Sequence, residues 1–307
     1  MKKLFFPLIL ILCVCVLVFI TTRNTHTKRS DSLYSEYEDE ICESVEDDGQ
    51  ITIIGKPDTC DKTVIEQHIE ESSSSSNEVL DIVIPRLIKN YPHQSIKRVG
   101  YSLSYNNKTK NANWVAWHLT SEHTDGRWKR DGIPYMVDDD VIGSRQELED
   151  WYGHNLPIDH GHMCPAGDNK WSKDAMEQTF LLTNMCPQNS ELNRGDWEEL
   201  ESRCRGWARH YGDIYIVCGP IFYSNSFKTI GKNKVGVPDA FFKVVLCMNK
   251  RPKALGFIYP NEGTHHKMNH YVTTVDDVEK QTGIDFFYNL PDDIETKVEA
   301  ESNLGNW

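Results

Sequence analysis

Three side chains suited to metal-assisted hydrolysis are spaced along the middle of this 307-residue chain. His162 closes the run Asp159-His160-Gly161-His162, and Asn193 and Glu201 follow downstream. Histidine can take up a proton near neutral pH, because its usual pKa is about 6.5. An asparagine carbonyl and a carboxylate are hard oxygen donors of the kind that Mg²⁺ prefers. Together these groups could activate water for attack on a phosphodiester.

The spacing of the downstream residues indicates how they are presented. Asn193, Trp197 and Glu201 stand at i, i+4 and i+8, which places them on one face of a helix. We therefore predict a helix from about Ser190 to His210. Trp197 is interpreted as a packing residue, since a large aromatic on such a face is usually part of the core.

The rest of the chain predicts a mixed fold. Alternating runs predict five strands, and Ser172 is suited to cap a helix that ends near Phe180. Residues 120–156 read as a long loop with a short helix near residues 145–151. The predicted strands are Tyr101–Tyr105, Asn113–Leu119, Ile214–Phe222, Phe241–Met248 and Ala254–Tyr259. Because no regular βαβ alternation is present, we predict an α+β fold with a central, mainly antiparallel sheet flanked by helices.

These motifs give the chain a family resemblance over about residues 95–290. Asp159–Met163 is similar to an Asp-Arg-Gly-His-apolar pattern, and Thr183–Gln188 to a Ser/Thr-Asn-x-x-Pro-Gln pattern. Cys218–Phe222 and Val237–Val244 fit later stretches of the same proteins. On these residues the chain resembles the DNA/RNA non-specific endonucleases, the ββα-metal nucleases of the endonuclease G type. The resemblance implies a ββα-metal motif within the sheet-and-helix fold.

The resemblance also implies roles for single residues. His162 would be the general base, Asn193 the direct ligand of Mg²⁺ or another divalent cation such as Mn²⁺. Glu201 would belong to the same metal site and hold a water of the ion's hydration shell. Asn184 would orient the loop of His162 or contact a phosphate. Glu198 and Glu199 are interpreted as solvated side chains on the same helix.

An arginine that stabilises the charge of the pentacoordinate phosphate is expected upstream of the histidine motif. Arg127 and Arg130 compete for this role, and we favour Arg127. Asp159 is expected to bond local backbone or to fix a neighbouring side chain.

His160 stands where the family pattern has arginine. A histidine can still donate a hydrogen bond to phosphate, so His160 remains a candidate for binding substrate, but it lacks a permanent charge. We therefore expect activity that is reduced or shifted toward lower pH. Protonation of His162 would oppose that shift.

Charge is distributed unevenly along the chain. The formal net charge of −13 would argue against an enzyme of nucleic acids, which needs a basic surface. Residues 1–30 carry +5, residues 31–80 carry −13, and the remainder carries only −5. Residues 24–80, acidic and rich in serine, are predicted to be a flexible tether, in which Ile51–Ile54 could form a small local structure. Residues 81–290 are predicted to be the endonuclease domain, and residues 291–307 an acidic tail that frays.

The N-terminal segment predicts membrane association. Lys2 and Lys3 precede an unbroken apolar run from Leu4 to Ile20. Because no small-residue cleavage site follows, residues 1–23 read as a signal-anchor rather than a cleaved signal peptide. We expect a membrane-anchored protein with an exported catalytic domain, or, after cleavage, a secreted or periplasmic one.

Three functional hypotheses remain. The first is a metal-dependent endonuclease that hydrolyses DNA and RNA without sequence preference and leaves 5′-phosphate products, with a homodimer as its candidate assembly. The second is a catalytically weakened nuclease fold that only binds nucleic acid. The third is a zinc site built from His160, His162 and Cys164, for which Cys186 is the candidate fourth ligand. The five cysteines beyond residue 160 could form disulfides or serve as small buried side chains.

Overall fold

The computed structural model describes residues 43–45, 51–53, 82–249 and 251–307. The chain divides into two compact units, Met1–Ser73 and Ser74–Trp307. In the first unit, strands β1 (Glu43–Val45) and β2 (Ile51–Ile53) pair antiparallel. The predicted signal-anchor, residues 1–23, lies outside the described residues, as does most of the predicted tether. Among the residues described, no helix is both long and apolar enough to cross a membrane.

A seven-stranded antiparallel sheet organises the second unit. Its strands run in the order β14-β13-β12-β9-β6-β5-β4, and every neighbouring pair is antiparallel. Their bounds are β4 Gln94–Lys97, β5 Ser102–Asn106, β6 Asn111–Thr120, β9 Asp213–Ile221, β12 Ala240–Cys247, β13 Lys253–Pro260 and β14 Val272–Thr273. Three two-stranded pairs accompany it: β3 (Arg86–Leu87) with β15 (Ile284–Asp285), β7 (Ile158–His162) with β8 (Met185–Asn189), and β10 (Thr229–Ile230) with β11 (Val235–Gly236). The five predicted strands are confirmed within a few residues, and so is the α+β architecture.

The sheet is buried on both faces. Along β12, Phe241 and Val245 belong to one apolar cluster, whereas Phe242 and Val244 belong to the cluster on the opposite face. This division follows from the alternation of side chains along a strand. Each face therefore needs a covering layer, which the helices and the β7–β8 pair provide.

Five α-helices lie wholly within residues 84–249 and 251–307: α1 Lys173–Gln178, α2 Ser190–Arg194, α3 Asp196–Tyr211, α4 Val275–Thr282 and α5 Asp292–Glu299. Helix α1 begins as predicted, with the Ser172 side chain accepting a bond from the Ala175 N–H. The short helix predicted near residues 145–151 is a 3₁₀ turn at Leu148–Trp151.

The prediction of one continuous helix from Ser190 to His210 is wrong. The chain breaks at Gly195, whose φ of −118° and ψ of −106° lie far from helical values. A Cβ atom at that position would lie 2.7 Å from the Glu191 carbonyl oxygen, so the break requires glycine. Asn193 consequently lies on α2 and Glu201 on α3, and their common orientation depends on how the two helices meet.

The predicted ββα motif is present as β7, β8 and the α2–α3 pair. The register pairs Gly161 with Cys186 and His162 with Met185, so the histidine motif forms one strand of a hairpin. Gln188 packs over the hairpin so closely that a Cβ on Gly161 would lie 2.5 Å from its Cβ.

The residues after Leu290 do not fray as predicted. They form helix α5, in which Ile294 and Val298 are spaced i and i+4 and pack on the core. The terminal Trp307 ring lies 4.8 Å from the ring of Trp207. Asp292 and Asp293 are exposed at the start of this helix, whereas Val298 and Glu299 at its end are buried.

The hairpin is predicted to be intolerant of a side chain at Gly161. Gly161→Ala should lower the free energy of unfolding by about 1–3 kcal/mol, because the added methyl group overlaps Gln188. The matched control is Gly206→Ala in helix α3, where an added Cβ meets no atom within 4 Å. The control should gain roughly 0.5–1 kcal/mol, because alanine is the better helix former. Urea unfolding of both variants measures this, and equal effects would contradict the close packing.

Candidate active site

A cleft of about 540 Å³ opens where the β7–β8 hairpin meets helices α2 and α3. It brings together five of the seven predicted site residues: His160, His162, Asn193, Glu201 and Arg130. Nine further residues line it: Tyr135, Ile158, Asp159, Pro165, Ala166, Gly167, Arg194, Glu198 and Arg205. Residues distant in the sequence therefore share one concave surface that carries both acids and cations.

Asp159 connects strand β7 to helix α2. One of its carboxylate oxygens accepts a bond from the Asn193 Nδ2 at 3.1 Å and from the Arg194 Nε at 2.7 Å. The other accepts from Arg194 Nη2 at 2.8 Å and from the Ser190 hydroxyl at 2.9 Å. Because Asp159 holds the amide nitrogen of Asn193, the carbonyl oxygen of that amide is left for another partner. The prediction that Asp159 fixes a neighbouring side chain is confirmed.

His162 lies at the inner end of the cleft with a free ring nitrogen. Its Nε2 is buried and has no hydrogen-bond partner among the described residues. The Phe180 ring packs edge-on against the imidazole at 5.1 Å. Burial lowers the pKa of His162 to about 3, and the positive charge of Arg130 contributes. The imidazole is therefore neutral at neutral pH, which is the form that can accept a proton.

His160 is held between two aromatic rings. Tyr135 stacks on one side at 4.0 Å and Trp151 on the other at 3.9 Å. Burial lowers the pKa of His160 to about 4, although the charge of Asp159 opposes this. Mild acidification consequently does not give His160 the charge of the family's arginine. The expected shift of activity toward lower pH therefore has no support in the structure.

Glu201 carries a carboxyl group that is costly to ionise. Burial raises its pKa to about 7, and the negative charges of Asp168 and Glu198 add to this, whereas Lys243 and Arg205 oppose it. A cation placed beside this carboxylate would offset its desolvation. Glu198 is exposed, as its interpretation as a solvated side chain predicted, and it also lines the same cleft.

Asn184 acts on the backbone that follows His162. Its Oδ1 accepts from the Cys164 N–H, and its Nδ2 donates to the carbonyl oxygens of Cys164 and Thr179, each at 2.9 Å. The side chain is fully buried and does not line the cleft. Of the two roles predicted for it, orienting the His162 loop agrees with the structure, and contact with a phosphate does not. Asn184 is thus a positioning residue.

The two upstream arginines are placed differently. Arg130 lines the cleft, with its guanidinium 5.8 Å from the centre of the Phe180 ring. Arg127 does not line it, and its guanidinium lies over the neighbouring Trp128 ring at 4.9 Å. The structure thus brings Arg130 to the cleft and not Arg127, which the sequence favoured.

Sequence reasoning missed a second layer of charge at the cleft. Arg205 lines the cleft and pairs with the buried Asp168 at 3.1 Å. Asp168 also accepts a bond from the Trp117 Nε1 at 3.1 Å. Behind them, the fully buried Lys243 directs its ammonium to the Trp197 ring at 4.3 Å. The spacing of Arg205 four residues after Glu201 was a usable signal, since it places both on one helical face.

The zinc hypothesis finds no ligand cluster. Cys164 and Cys186 are buried free thiols in the apolar core, and burial raises the pKa of both well above its usual value. Within residues 82–249 and 251–307, the one group of three or more potential metal ligands consists of carboxylates and lies elsewhere. All five cysteines of this part of the chain are buried and free. They are thus small buried side chains, the alternative to disulfides that the sequence left open.

Comparison with known proteins identifies the family. The family model described as DNA/RNA non-specific endonuclease matches residues 86–293, more than half of the chain. The chain therefore belongs to the DNA/RNA non-specific endonuclease family, as its motifs predicted.

Individual relatives agree with this assignment. The mitochondrial nuclease EXOG of Xenopus laevis is 33% identical over 211 residues, covering 64% of this chain and 58% of that protein. Nuclease C1 of Cunninghamella echinulata var. echinulata is 34% identical over 235 residues, covering 71% and 90%. The crystal structure of an EndoG/EndoGI complex, described as showing the mechanism of EndoG inhibition, is similar with a TM-score of 0.60 and 25% identity, covering 64% of this chain and 86% of that chain. The chain thus spans under two thirds of the length of the EXOG relatives.

Proposed function

We propose that this protein is a metal-dependent endonuclease that hydrolyses phosphodiester bonds in DNA and RNA without sequence preference. One observation carries the proposal: a neutral imidazole, an oriented asparagine amide and a carboxylate face the same cleft. Family membership and relatives named as nucleases support it.

His162 is the proposed general base. Its free Nε2 takes a proton from water as the water oxygen attacks phosphorus, and the bond from phosphorus to the 3′ oxygen breaks. The 5′-phosphate product follows from which bond is broken. Asn184 holds the backbone next to His162, so the ring stays aimed into the cleft.

Asn193 and Glu201 are the proposed holders of a divalent cation, with Mg²⁺ first and Mn²⁺ as an alternative. Both offer hard oxygen atoms. The raised pKa of Glu201 indicates that the surrounding positive charges do not offset the burial of its carboxylate. The ion would supply charge stabilisation to the phosphate and to the departing oxygen. Asp159 binds the amide nitrogen of Asn193, so its Oδ1 would be the atom that holds the ion.

Arg130 and His160 are suited to bind the phosphate backbone of a nucleic acid. Arg130 is the proposed stabiliser of the extra negative charge on the pentacoordinate phosphate. His160, neutral and fixed between two rings, donates a hydrogen bond to phosphate. Contacts of this kind read no base, which accounts for the proposed lack of sequence preference.

We also propose that residues 1–23 anchor the protein in a membrane with its catalytic domain exported, or direct its secretion if they are cleaved. The lysines before the apolar run support this. We further propose that the protein forms a homodimer.

A plasmid-nicking assay tests the reaction. Nicking should require a divalent cation, stop on addition of EDTA, and fall by about 10²–10⁴-fold in His162→Ala, because the general base is lost. His93→Gln is the matched control, since His93 is exposed and does not line the cleft. Nicking that persists unchanged in His162→Ala would exclude this mechanism. Binding of nucleic acid without any nicking by the parent protein would favour the weakened, binding-only alternative.

The placement of Arg130 at the cleft, with Arg127 away from it, gives a second prediction. Arg130→Ala should lower the rate of nicking by about 10²–10³-fold, because the charge of the transition state loses its partner. Arg127→Ala should change it by less than about threefold, since a surface charge away from the cleft contributes little. Rates measured for both variants at saturating substrate separate the two roles. A greater loss in Arg127→Ala would restore the assignment that the sequence favoured.

A further inference from the structure

A second group of acidic side chains lies away from the cleft, between helices α4 and α5. Asp276 and Glu279 stand three residues apart on α4, and Glu299 is the last residue of α5. One carboxylate oxygen from each of the three lies within 4.8 Å of the other two. We refer to these residues as the carboxylate cluster.

Among the residues that the structure describes, the carboxylate cluster lacks the positively charged partners that neighbouring acidic residues have. Asp277, on the same helix, accepts from Lys280 at 3.1 Å and from the Thr273 hydroxyl at 3.0 Å. Across the described part of the chain, none of the ion pairs includes a cluster residue. The nearby Arg86 pairs with Asp285 instead. Asp277 thus has both an ion-pair partner and a hydroxyl donor, whereas no residue of the carboxylate cluster forms an ion pair with another described residue.

Glu299 provides a separate indication of a missing partner. The residue is only 6% exposed, and its Oε1 is buried with no hydrogen-bond partner among the described residues. A buried carboxylate without hydrogen bonds is unfavourable unless it takes a proton or meets a cation. Glu279 is partly satisfied, since one of its oxygens accepts from the Phe286 N–H at 2.7 Å.

The charges around the cluster increase this cost. Burial raises the pKa of Glu299 to about 9 and that of Glu279 to about 7. The negative charges of Asp276, Asp285 and Glu295 add to the effect on Glu299. The charged groups with the largest effect on the pKa of Glu299 are all carboxylates, and a positive ion would compensate them.

We propose that Asp276, Glu279 and Glu299 form a second divalent-cation site, separate from the cleft, that takes Ca²⁺. All three donors are oxygen atoms, and carboxylates can bind Ca²⁺ with one or both oxygens. Ligands of one Ca²⁺ lie at most about 4.8 Å apart, twice the usual bond of about 2.4 Å, so three oxygen atoms within 4.8 Å of one another can surround a single ion. Ca²⁺ accepts an irregular set of oxygen ligands, whereas Mg²⁺ demands near-ideal octahedral geometry at about 2.0–2.1 Å. None of the three residues lines the candidate active site.

The ion would join the C-terminal helix to the rest of the unit. Val275 and Val278 of α4 and Val298 of α5 pack in the same apolar cluster on one face of the sheet. The carboxylates lie beside this contact and repel one another when ionised. A bound ion would attract all three carboxylates, and it would thereby cross-link α5 to α4.

Calcium titration of the full-length chain tests the site. The parent for this test carries Asn193→Ala and Glu201→Gln, which removes the proposed catalytic metal site. Isothermal titration with CaCl₂ should show one Ca²⁺ per chain. Adding Glu299→Gln should weaken binding by at least about tenfold, because a charged ligand becomes neutral. Adding Asp293→Asn, an exposed acid on the same helix, should leave the affinity unchanged.

Thermal unfolding separates loss of the site from loss of the fold. In EDTA, Glu299→Gln should unfold at the same temperature as its parent or higher, because a buried charge has been removed. Calcium should raise the unfolding temperature of the parent and of Asp293→Asn, but not that of Glu299→Gln. The proposal is overturned if the parent binds no Ca²⁺, or if Glu299→Gln binds it as tightly as the parent. Nuclease activity enters neither measurement, so this outcome is independent of the proposed function.

Discussion

The hydrogen bonds of Asp159 hold the candidate active site together. Strand β7 carries His162 and helix α2 carries Asn193, and the pairing of β7 with β8 brings them together, because α2 begins directly after β8. The Asp159 carboxylate then links the two elements through side chains by accepting bonds from Asn193 and Arg194. This carboxylate therefore fixes the direction in which the Asn193 amide oxygen points. The proposed chemistry depends on that arrangement, because base and ion must act on the same phosphate.

Charge balance is the second constraint on the site. Glu198 and Glu201 face the cleft, and Asp168 lies buried behind it. Arg205 compensates Asp168, but no ion pair within 4.0 Å among the described residues satisfies Glu201. Burial opposes the charge of Lys243, yet the surrounding thiols and carboxyl groups, led by Cys218 and Glu201, raise its pKa. The protein thus places a buried cation behind the site and, in the part of the chain that the structure describes, leaves the Glu201 carboxyl group without an ion-pair partner at its front.

The sequence predicted the parts of the structure that local patterns determine. Alternation identified the central strands, and the motif spacing identified His162, Asn193 and Glu201, because those patterns repeat with the geometry of strand and helix. The break at Gly195 was missed, since a glycine within a helical pattern is often tolerated and only the packing of α2 reveals the break. The choice between Arg127 and Arg130 depended on a loop that the Trp128 N–H fixes to the Lys170 carbonyl, a contact between distant residues. The ordered C-terminal helix was missed because its acidic composition outweighed the spacing of Ile294 and Val298.

The central claim is that Asn193 and His162 serve one metal ion and one phosphate in the same cleft. A crystal of the protein soaked in Mn²⁺ and measured at a wavelength where manganese scatters anomalously tests this directly. The account predicts an anomalous peak in the cleft, at direct coordination distance from the Asn193 Oδ1 and on the side that His162 faces. A crystal with no peak in the cleft, and with the Asn193 amide still bound only to Asp159, would contradict it.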